Sequence, residues 1–136
     1  MTVRSATASD LPAIARIQAE SPQASQWIPA SYLDYDCVVA EEGGVTLGFL
    51  VIRRIAPDEY EVLNLAVDPS ARRRGVARRL LQDALAQRHG TWSLEVRESN
   101  SGAIHFYEVL GFQKAGRRKD YYRDPAEPGI VMKFNS

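Results

Sequence analysis

The change of apolar spacing at Gly75 constrains the fold of this 136-residue chain more than any other feature of its sequence. Before this glycine, residues 60–67 alternate apolar and polar side chains, which predicts a half-buried strand that ends at Asp68-Pro69. After it, apolar residues recur at helical spacing to about Gln87. The chain is therefore expected to pass from a strand into a helix through a loop that is rich in arginine.

The other segments also divide into strand-like and helix-like stretches. Strands are predicted over residues 3–6, 37–40, 45–55, 60–67, 92–96, 112–122 and 130–134. Helices are predicted over residues 9–20, 32–35, 75–87 and 99–110. This order predicts an α/β fold with a mixed, mostly antiparallel sheet and helices on both faces. Since the composition is ordinary, with 45% hydrophobic and 25% charged residues, we expect one domain over residues 1–136.

Several classes of protein are disfavoured by the sequence. It has no apolar run of the roughly 18 residues that a membrane-spanning helix needs, and no signal peptide is visible at Met1. The one cysteine, Cys37, cannot form an internal disulfide, and no metal-ligand spacing occurs. We therefore expect a cytoplasmic protein with no metal and no membrane partner, in which Cys37 is buried and inert.

Charge is distributed unevenly along the chain. Residues 1–68 carry 4 basic and 10 acidic side chains, a net charge of −6, whereas residues 69–136 carry 13 basic and 7 acidic ones, a net charge of +6. Five arginines fall within residues 72–79. This run could be a solvated face, but no zinc-finger spacing accompanies it and no aromatic residue within it could stack on a base. A small anion is therefore favoured over a nucleic acid.

The start of the predicted helix at Gly75 is suited to bind such an anion. The first N–H groups of a helix have no acceptor within the helix, and the helix dipole is partly positive there. Because Gly75 and Ala77 carry small or no side chains, a pyrophosphate could approach the backbone closely. The alternative is that Gly75 only permits a tight turn.

Three blocks of sequence resemble one family in the right order. Arg72-x-x-Gly75-x-Ala77 resembles the Q/R-x-x-G-x-G/A signature of the GNAT superfamily of acetyl-CoA-dependent N-acetyltransferases. Residues 64–69 (NLAVDP) resemble the strand before that signature, and residues 100–112 (NSGAIHFYEVLGF) resemble the N-x-x-A-x-x-x-Y-x-x-x-G-F block after it. Residues 94–100 and Asp120-Tyr121-Tyr122 are similar to the bacterial ribosomal-protein-alanine N-acetyltransferases, which acetylate protein N-termini.

The resemblance implies a GNAT fold and direct transfer of acetyl from acetyl-CoA to an amine, without an acyl-enzyme. The residues that it implies for holding the pyrophosphate and nearby phosphate of coenzyme A are Arg72, Arg73, Arg74, Gly75, Val76, Ala77 and Arg78. The main chain of Leu65, Ala66 and Val67 is implied to pair with the pantetheine arm, with an N–H near Val67 facing the thioester oxygen. Asn100 is implied to bond the cofactor, and it also suits an ordinary helix N-cap.

Two residues are implied to move protons. Glu95 matches the carboxylate assigned as general base in the ribosomal-protein enzymes, acting when partly buried or through a water relay. Glu61 is its competitor, because an unbulged strand would place it on the same face as Val67. Tyr107 is the candidate general acid for the leaving thiolate, and its alternative role is that of a core aromatic residue. Arg97 and Glu98 could pair locally and screen Glu95.

The expected acceptor is the N-terminal α-amine of a protein, such as a ribosomal protein. A lysine side chain or a small amine is the alternative within the same family, and a non-catalytic acyl-CoA-binding regulatory domain is the alternative outside it. Residues 20–36 and 119–128 are expected to decide the acceptor, since a wide groove between them suits a peptide. Tyr121 and Tyr122 would line that groove or pack on an edge strand.

Overall fold

The computed structural model describes residues 1–122 and 126–135. Its helices and strands are β1 (Thr2–Ser5), α1 (Leu11–Ala19), β2 (Asp36–Glu42), β3 (Val45–Ala56), β4 (Glu59–Val67), α2 (Val76–Gln87), β5 (Thr91–Arg97), α3 (Ser101–Val109), β6 (Gln113–Tyr122) and β7 (Glu127–Asn135). The predicted order of elements is confirmed, except that the helix expected near Tyr32 is a 3-10 helix, Pro29–Asp34.

The seven strands of the described part form one sheet, in the order β1-β2-β3-β4-β5-β7-β6. Neighbouring strands are antiparallel except for β4 and β5, which are parallel, so the expected mixed sheet is confirmed. The β4–β5 pairing is short and joins only residues 59–61 to residues 91–93. The later parts of these two strands do not pair, which leaves a gap in the middle of the sheet.

The sheet separates two hydrophobic clusters. On β2, Val38 and Ala40 pack in the cluster that contains buried residues of α2 and α3, whereas Cys37 and Val39 pack with residues of α1 and with Tyr32. Because successive side chains of a strand point to opposite faces, these clusters lie on the two sides of the sheet. We call the sides the α2 face and the α1 face. Helices on both faces are thereby confirmed.

A β-bulge interrupts β4 at Leu63. Val51 of β3 is opposite Asn64 and Ile52 is opposite Val62, so Leu63 has no partner in the register. An extra residue reverses the alternation of side chains beyond it. Val62 and Val67 therefore both pack on the α2 face, although they are five residues apart.

The bulge also decides where Glu61 lies. As the neighbour of Val62, Glu61 points to the α1 face, whereas Val67 packs on the α2 face. The expectation that Glu61 and Val67 share a face, which assumed an unbulged strand, is therefore wrong.

Candidate active site

A cavity of about 680 Å³ lies where β4 and β5 separate, and we call it the cleft. Its walls are residues 62–67 of β4 and 94–97 of β5, and residues 21–27 close one side. The cleft brings together eight of the residues singled out from the sequence, namely Leu65, Ala66, Val67, Arg72, Glu95, Asn100, Tyr107 and Tyr122. Six predicted cofactor residues are not among those that line it, namely Arg73, Arg74, Gly75, Val76, Ala77 and Arg78. Side chains from β4, β5, α3 and β6 therefore meet at the gap in the sheet.

The main chain of β4 presents hydrogen-bond donors to the cleft. The N–H of Asp68 donates to the carbonyl of Leu47, at the start of the facing strand β3, over 2.8 Å. The N–H of Leu65 instead donates to the side chain of Asn64, over 3.0 Å. Since successive N–H groups of a strand point to opposite edges, the N–H of Val67 points away from β3 and toward the cleft.

Asn64 is a buried side chain that connects β4 to the segment beside the cleft. Its amide oxygen accepts from the N–H groups of Leu65 and Ser25, and its amide nitrogen donates to the carbonyl of Ser25 over 3.0 Å. The same nitrogen donates to the hydroxyl of Tyr32 and to the side chain of Gln18. The network holds residues 18–32 against the bulged strand. In the sequence Asn64 stands out only as the first residue of the NLAVDP motif, although a polar residue inside an apolar strand is a signal for such a network.

The loop before α2 leaves the start of the helix open. Arg73 has a φ of 66° and Gly75 a φ of 78°, so both adopt the left-handed conformation. Gly75 is the N-cap residue and no side chain caps the helix there. A Cβ at Gly75 would have no neighbour within 4 Å. The first N–H groups of α2 are therefore accessible to an anion.

The five clustered arginines fall into two groups. Arg72 donates to the carbonyl of Glu20 and to the hydroxyl of Ser21, over 3.1 and 3.2 Å. Arg74 pairs with Glu42 and Arg79 pairs with Asp83, over 2.7 and 2.8 Å.

Arg73 and Arg78 form the second group, because neither has an ion pair or hydrogen bond in the part of the chain that the structure describes. Both side chains are exposed beside the open helix end. They are therefore available to a bound anion without the loss of an internal contact.

Glu95 lies on β5 with its two carboxylate oxygens in different surroundings. Oε1 accepts a hydrogen bond of 2.7 Å from Arg118, whereas Oε2 is buried and has no hydrogen-bond partner among the described residues. The Glu95 side chain is 16% exposed. A buried, unpaired carboxylate oxygen is costly in a folded protein, and it can accept a hydrogen bond from a ligand.

The residues that follow Glu95 pair differently from the prediction. Arg97 pairs with Glu127 over 3.3 Å and Glu98 pairs with Arg117 over 2.6 Å, so the expected Arg97–Glu98 pair is wrong. Glu98 lies in the turn just after β5, where its carboxylate meets Arg117 of β6 instead of Arg97.

Tyr107 packs in the core and also lines the cleft. Its ring meets that of Phe112 edge-on, with centroids 5.6 Å apart, and the residue is 8% exposed. Its hydroxyl makes no hydrogen bond to any residue that the structure describes. Burial raises the pKa of Tyr107 above its ordinary value of 10.0, which keeps the phenol protonated at neutral pH. The two roles considered for Tyr107 are thus compatible.

Asn100 occupies the N-cap of α3, as the sequence predicts. Its amide oxygen accepts from the N–H of Ala103 over 3.1 Å, and the residue lines the cleft. The amide nitrogen donates to none of the described residues. Asn100 can therefore cap the helix and still offer a donor to a ligand.

Glu61, the competing carboxylate, is not among the residues that line the cleft. It lies 2.6 Å from a guanidinium nitrogen of Arg53 on the neighbouring strand. Glu95 also points to the α1 face, because its neighbours Leu94 and Val96 pack on the α2 face, so the face does not separate the two carboxylates. Glu95 is favoured over Glu61 because it lines the cleft.

Other reactive side chains lie outside the cleft. Burial raises the pKa of Cys37 from its ordinary value of 9.0 to about 12, which disfavours the reactive thiolate. His89 and His105 are exposed. Across residues 1–122 and 126–135 we find no group of three potential metal ligands. None of the helices in these ranges is both long enough and apolar enough to span a membrane.

An open helix start beside two diverging parallel strands is the arrangement that the GNAT resemblance implies. The chain belongs to the acetyltransferase (GNAT) family, whose model matches residues 6–112. The expected GNAT fold is therefore confirmed.

Two individual relatives match most of the length of this chain. The chain is 40% identical over 103 residues to the N-alpha-acetyltransferase RimI of Mycobacterium tuberculosis. The match covers 73% of this chain and 65% of that protein. It is 35% identical over 145 residues to the [ribosomal protein bS18]-alanine N-acetyltransferase of Escherichia coli K12, which covers 96% of this chain and 95% of that protein. The chain thus spans slightly less than two thirds of the first relative and nearly all of the second.

Solved structures of related enzymes have the same fold. The crystal structure of the ribosomal-protein-S18-alanine N-acetyltransferase from Escherichia coli has a TM-score of 0.84 at 33% identity, covering 98% of this chain and 92% of that one. Chaetomium thermophilum Naa20, solved in complex with a bisubstrate analogue, has a TM-score of 0.85 at 25% identity. The match covers 99% of this chain and 86% of that one.

Proposed function

We propose that this protein transfers acetyl from acetyl-CoA to the N-terminal α-amine of a protein, with a ribosomal protein as the acceptor. The observation that carries the proposal is the cleft, in which Glu95 with its unpaired Oε2 and the protonated Tyr107 line one cavity beside the β4 edge. The similarity to two enzymes named for N-terminal acetylation supports the choice of acceptor. Residues 1–136 would act as one domain, in the cytoplasm.

The described residues fit acetyl-CoA as the donor substrate. The open N-terminus of α2, from Gly75 to Arg78, would hold the pyrophosphate, with Arg73 and Arg78 as the cations without internal partners. The main chain of residues 65–67 would pair with the pantetheine arm, and Asn100 would add a side-chain donor. When bound, acetyl-CoA supplies an activated acetyl group as a thioester.

The side chains of the cleft then supply the proton transfers. Oε2 of Glu95 accepts a proton from the acceptor ammonium, directly or through one water, so that the nitrogen gains a free electron pair. The N–H of Val67 stabilises negative charge on the carbonyl oxygen, an effect worth about 3 kcal/mol for one aligned donor. As the C–N bond to the acetyl carbon forms and the C–S bond breaks, the Tyr107 hydroxyl gives its proton to the departing thiolate. The second proton of the attacking nitrogen restores the Tyr107 hydroxyl through water, and Glu95 releases its proton to solvent. The products are an N-acetylated chain and coenzyme A.

The acceptor would enter between residues 21–27 and the tyrosine pair of β6. Tyr122 lines the cleft, and Tyr121 is 44% exposed at its rim. Of the segment 119–128 that was expected to shape the groove, residues 123–125 lie outside the described residues. A groove with two separate walls suits an extended chain rather than a small molecule.

A panel of acceptors tests this proposal. The protein is incubated with acetyl-CoA and three acceptors: a peptide with a free N-terminal alanine and no lysine, an N-terminally blocked peptide with one lysine, and a small primary amine. We expect mass spectrometry to show acetylation of the alanine peptide at least about tenfold faster than of the other two. Preference for lysine or the small amine would overturn the choice of acceptor, and binding of coenzyme A without turnover would indicate a regulatory domain.

A further inference from the structure

Gly129 lies against Glu95 and the Tyr121–Tyr122 pair, and its backbone conformation does not explain why it is glycine. It is buried on β7, opposite Arg97 of β5 and opposite Arg118 of β6. Its φ lies outside the left-handed region. The reason for glycine must therefore be space rather than backbone freedom.

Three side chains of the proposed site fill the space above Gly129. A Cβ at this position would lie 3.0 Å from Oε2 of Glu95, 3.1 Å from Cδ2 of Tyr121 and 3.3 Å from Cε2 of Tyr122. These distances are shorter than the 3.5–4.0 Å, roughly, at which carbon atoms pack best. A methyl group here would therefore require the carboxylate and the rings to shift by a few tenths of an ångström.

The side chains around this space contact one another. The guanidinium of Arg118 lies 4.3 Å from the ring centre of Tyr121, and that of Arg97 lies 4.6 Å from the ring centre of Tyr122. The two tyrosine rings meet edge-on with centroids 5.0 Å apart. Because Arg118 also holds Oε1 of Glu95, a shift of either ring is transmitted to the carboxylate.

We propose that Gly129 is a positioning residue: the niche left by its missing side chain fixes the Glu95 carboxylate beneath the Tyr121–Tyr122 pair, with Oε2 directed at the acceptor amine. This inference rests on the proposed function, in which Glu95 accepts the proton. Two kinds of substitution should move the carboxylate from this position. A side chain at position 129 fills it and displaces the carboxylate, whereas removal of the Tyr121 ring empties it and releases the carboxylate.

The test compares Gly129→Ala with Gly116→Ala, using the acceptor that the panel shows to be fastest. Gly116 is a suitable control because it also lies in the sheet, on β6 opposite Val131, and an added Cβ there would meet its nearest atom at 3.9 Å. We expect Gly129→Ala to lower kcat about tenfold with the KM for acetyl-CoA unchanged, and Gly116→Ala to keep the activity of the unmodified protein. Tyr121→Ala is expected to lower kcat in the same way.

Gly129→Ala and Tyr121→Ala are also combined with Glu95→Gln. These double variants distinguish an effect on the position of the carboxylate from an unspecific effect on the structure. If Gly129 acts through the carboxylate, adding Gly129→Ala to Glu95→Gln causes no further loss of kcat. The proposal is overturned if Gly129→Ala matches Gly116→Ala, or if it causes the same loss with and without Glu95. Should Gly129→Ala not fold, Tyr121→Ala decides by the same criteria. An unmodified protein that prefers lysine would contradict only the proposed acceptor.

Discussion

Arg118 on β6 donates a hydrogen bond of 2.7 Å to Oε1 of Glu95 on β5, although β7 lies between these two strands. The guanidinium reaches across β7 at Gly129, which is opposite Arg118 in the register. Arg118 thereby occupies one oxygen of the proposed base and leaves the buried Oε2 without a partner. We infer that the ion pair selects which oxygen meets the acceptor amine.

Replacement of Arg118 by Gln should therefore affect catalysis more than stability. Arg118 is 58% exposed, and exposed ion pairs contribute little to the free energy of unfolding. Loss of the fixed carboxylate geometry should lower kcat about tenfold. Arg117→Gln is the matched control, since Arg117 pairs with Glu98 at the surface. Equal kcat values for the two variants in steady-state kinetics would show that the Arg118 contact does not orient the base.

Tyr107→Phe should remove the proton donor without disturbing the core. The Tyr107 hydroxyl has no partner among the described residues, so we expect the melting temperature to change little. Loss of a general acid typically costs about 100-fold in rate, which we expect in kcat. Tyr60→Phe serves as the control, because Tyr60 stacks on Trp92 and is not among the residues that line the cleft. A Tyr107→Phe variant with nearly full activity would assign Tyr107 to packing alone.

Arg73 and Arg78 should contribute to donor binding more than their paired neighbours. Each gains a charge-assisted contact with a phosphate and loses no internal partner, so Arg73→Gln and Arg78→Gln should each raise the KM for acetyl-CoA about tenfold. Arg79→Gln should leave that KM nearly unchanged, since Arg79 pairs with Asp83. The effect should shrink as ionic strength rises. Equal KM values for all three variants would contradict the assignment.

Stability should decline at alkaline pH. Burial raises the pKa of Cys37 from 9.0 to about 12 and that of Tyr122 from 10.0 to about 12. Above about pH 9 the unfolded chain loses these protons while the folded chain keeps them, so the free energy of unfolding falls until about pH 12. Urea unfolding between about pH 8 and 11 should show this slope, and Cys37→Ala should reduce it. A midpoint that does not change with pH would contradict the prediction.

The sequence predicts most of the fold because each element has its own apolar spacing. The alternation over residues 60–67 and the helical spacing after Gly75 are local signals, and both elements form where they are expected. The bulge at Leu63 is not visible in that alternation. It depends on the register of β3 against β4, and it changes the face on which Glu61 lies.

Sequence motifs also single out three of the side chains that line the cleft, whose catalytic and binding roles stay predictions. Glu95, Tyr107 and Asn100 follow from short motifs, and the cleft brings them together. The partners of Glu95 could not be read from the sequence, because Arg118 and Gly129 lie 23 and 34 positions further along the chain. Their contacts arise only when β6 and β7 pair beside β5. Long-range strand pairing thus supplies the part of the site that local patterns do not contain.

The proposed roles of Glu95 and Tyr107 can be tested in a crystal structure with a conjugate of coenzyme A and an alanyl peptide, joined through the peptide α-nitrogen. We predict that the conjugate lies in the cleft, with its α-nitrogen within about 3 Å of Oε2 of Glu95 or joined to it by one water, and with Tyr107 at the sulfur. A conjugate bound elsewhere would contradict the account, and so would one whose α-nitrogen lies beyond reach of Glu95.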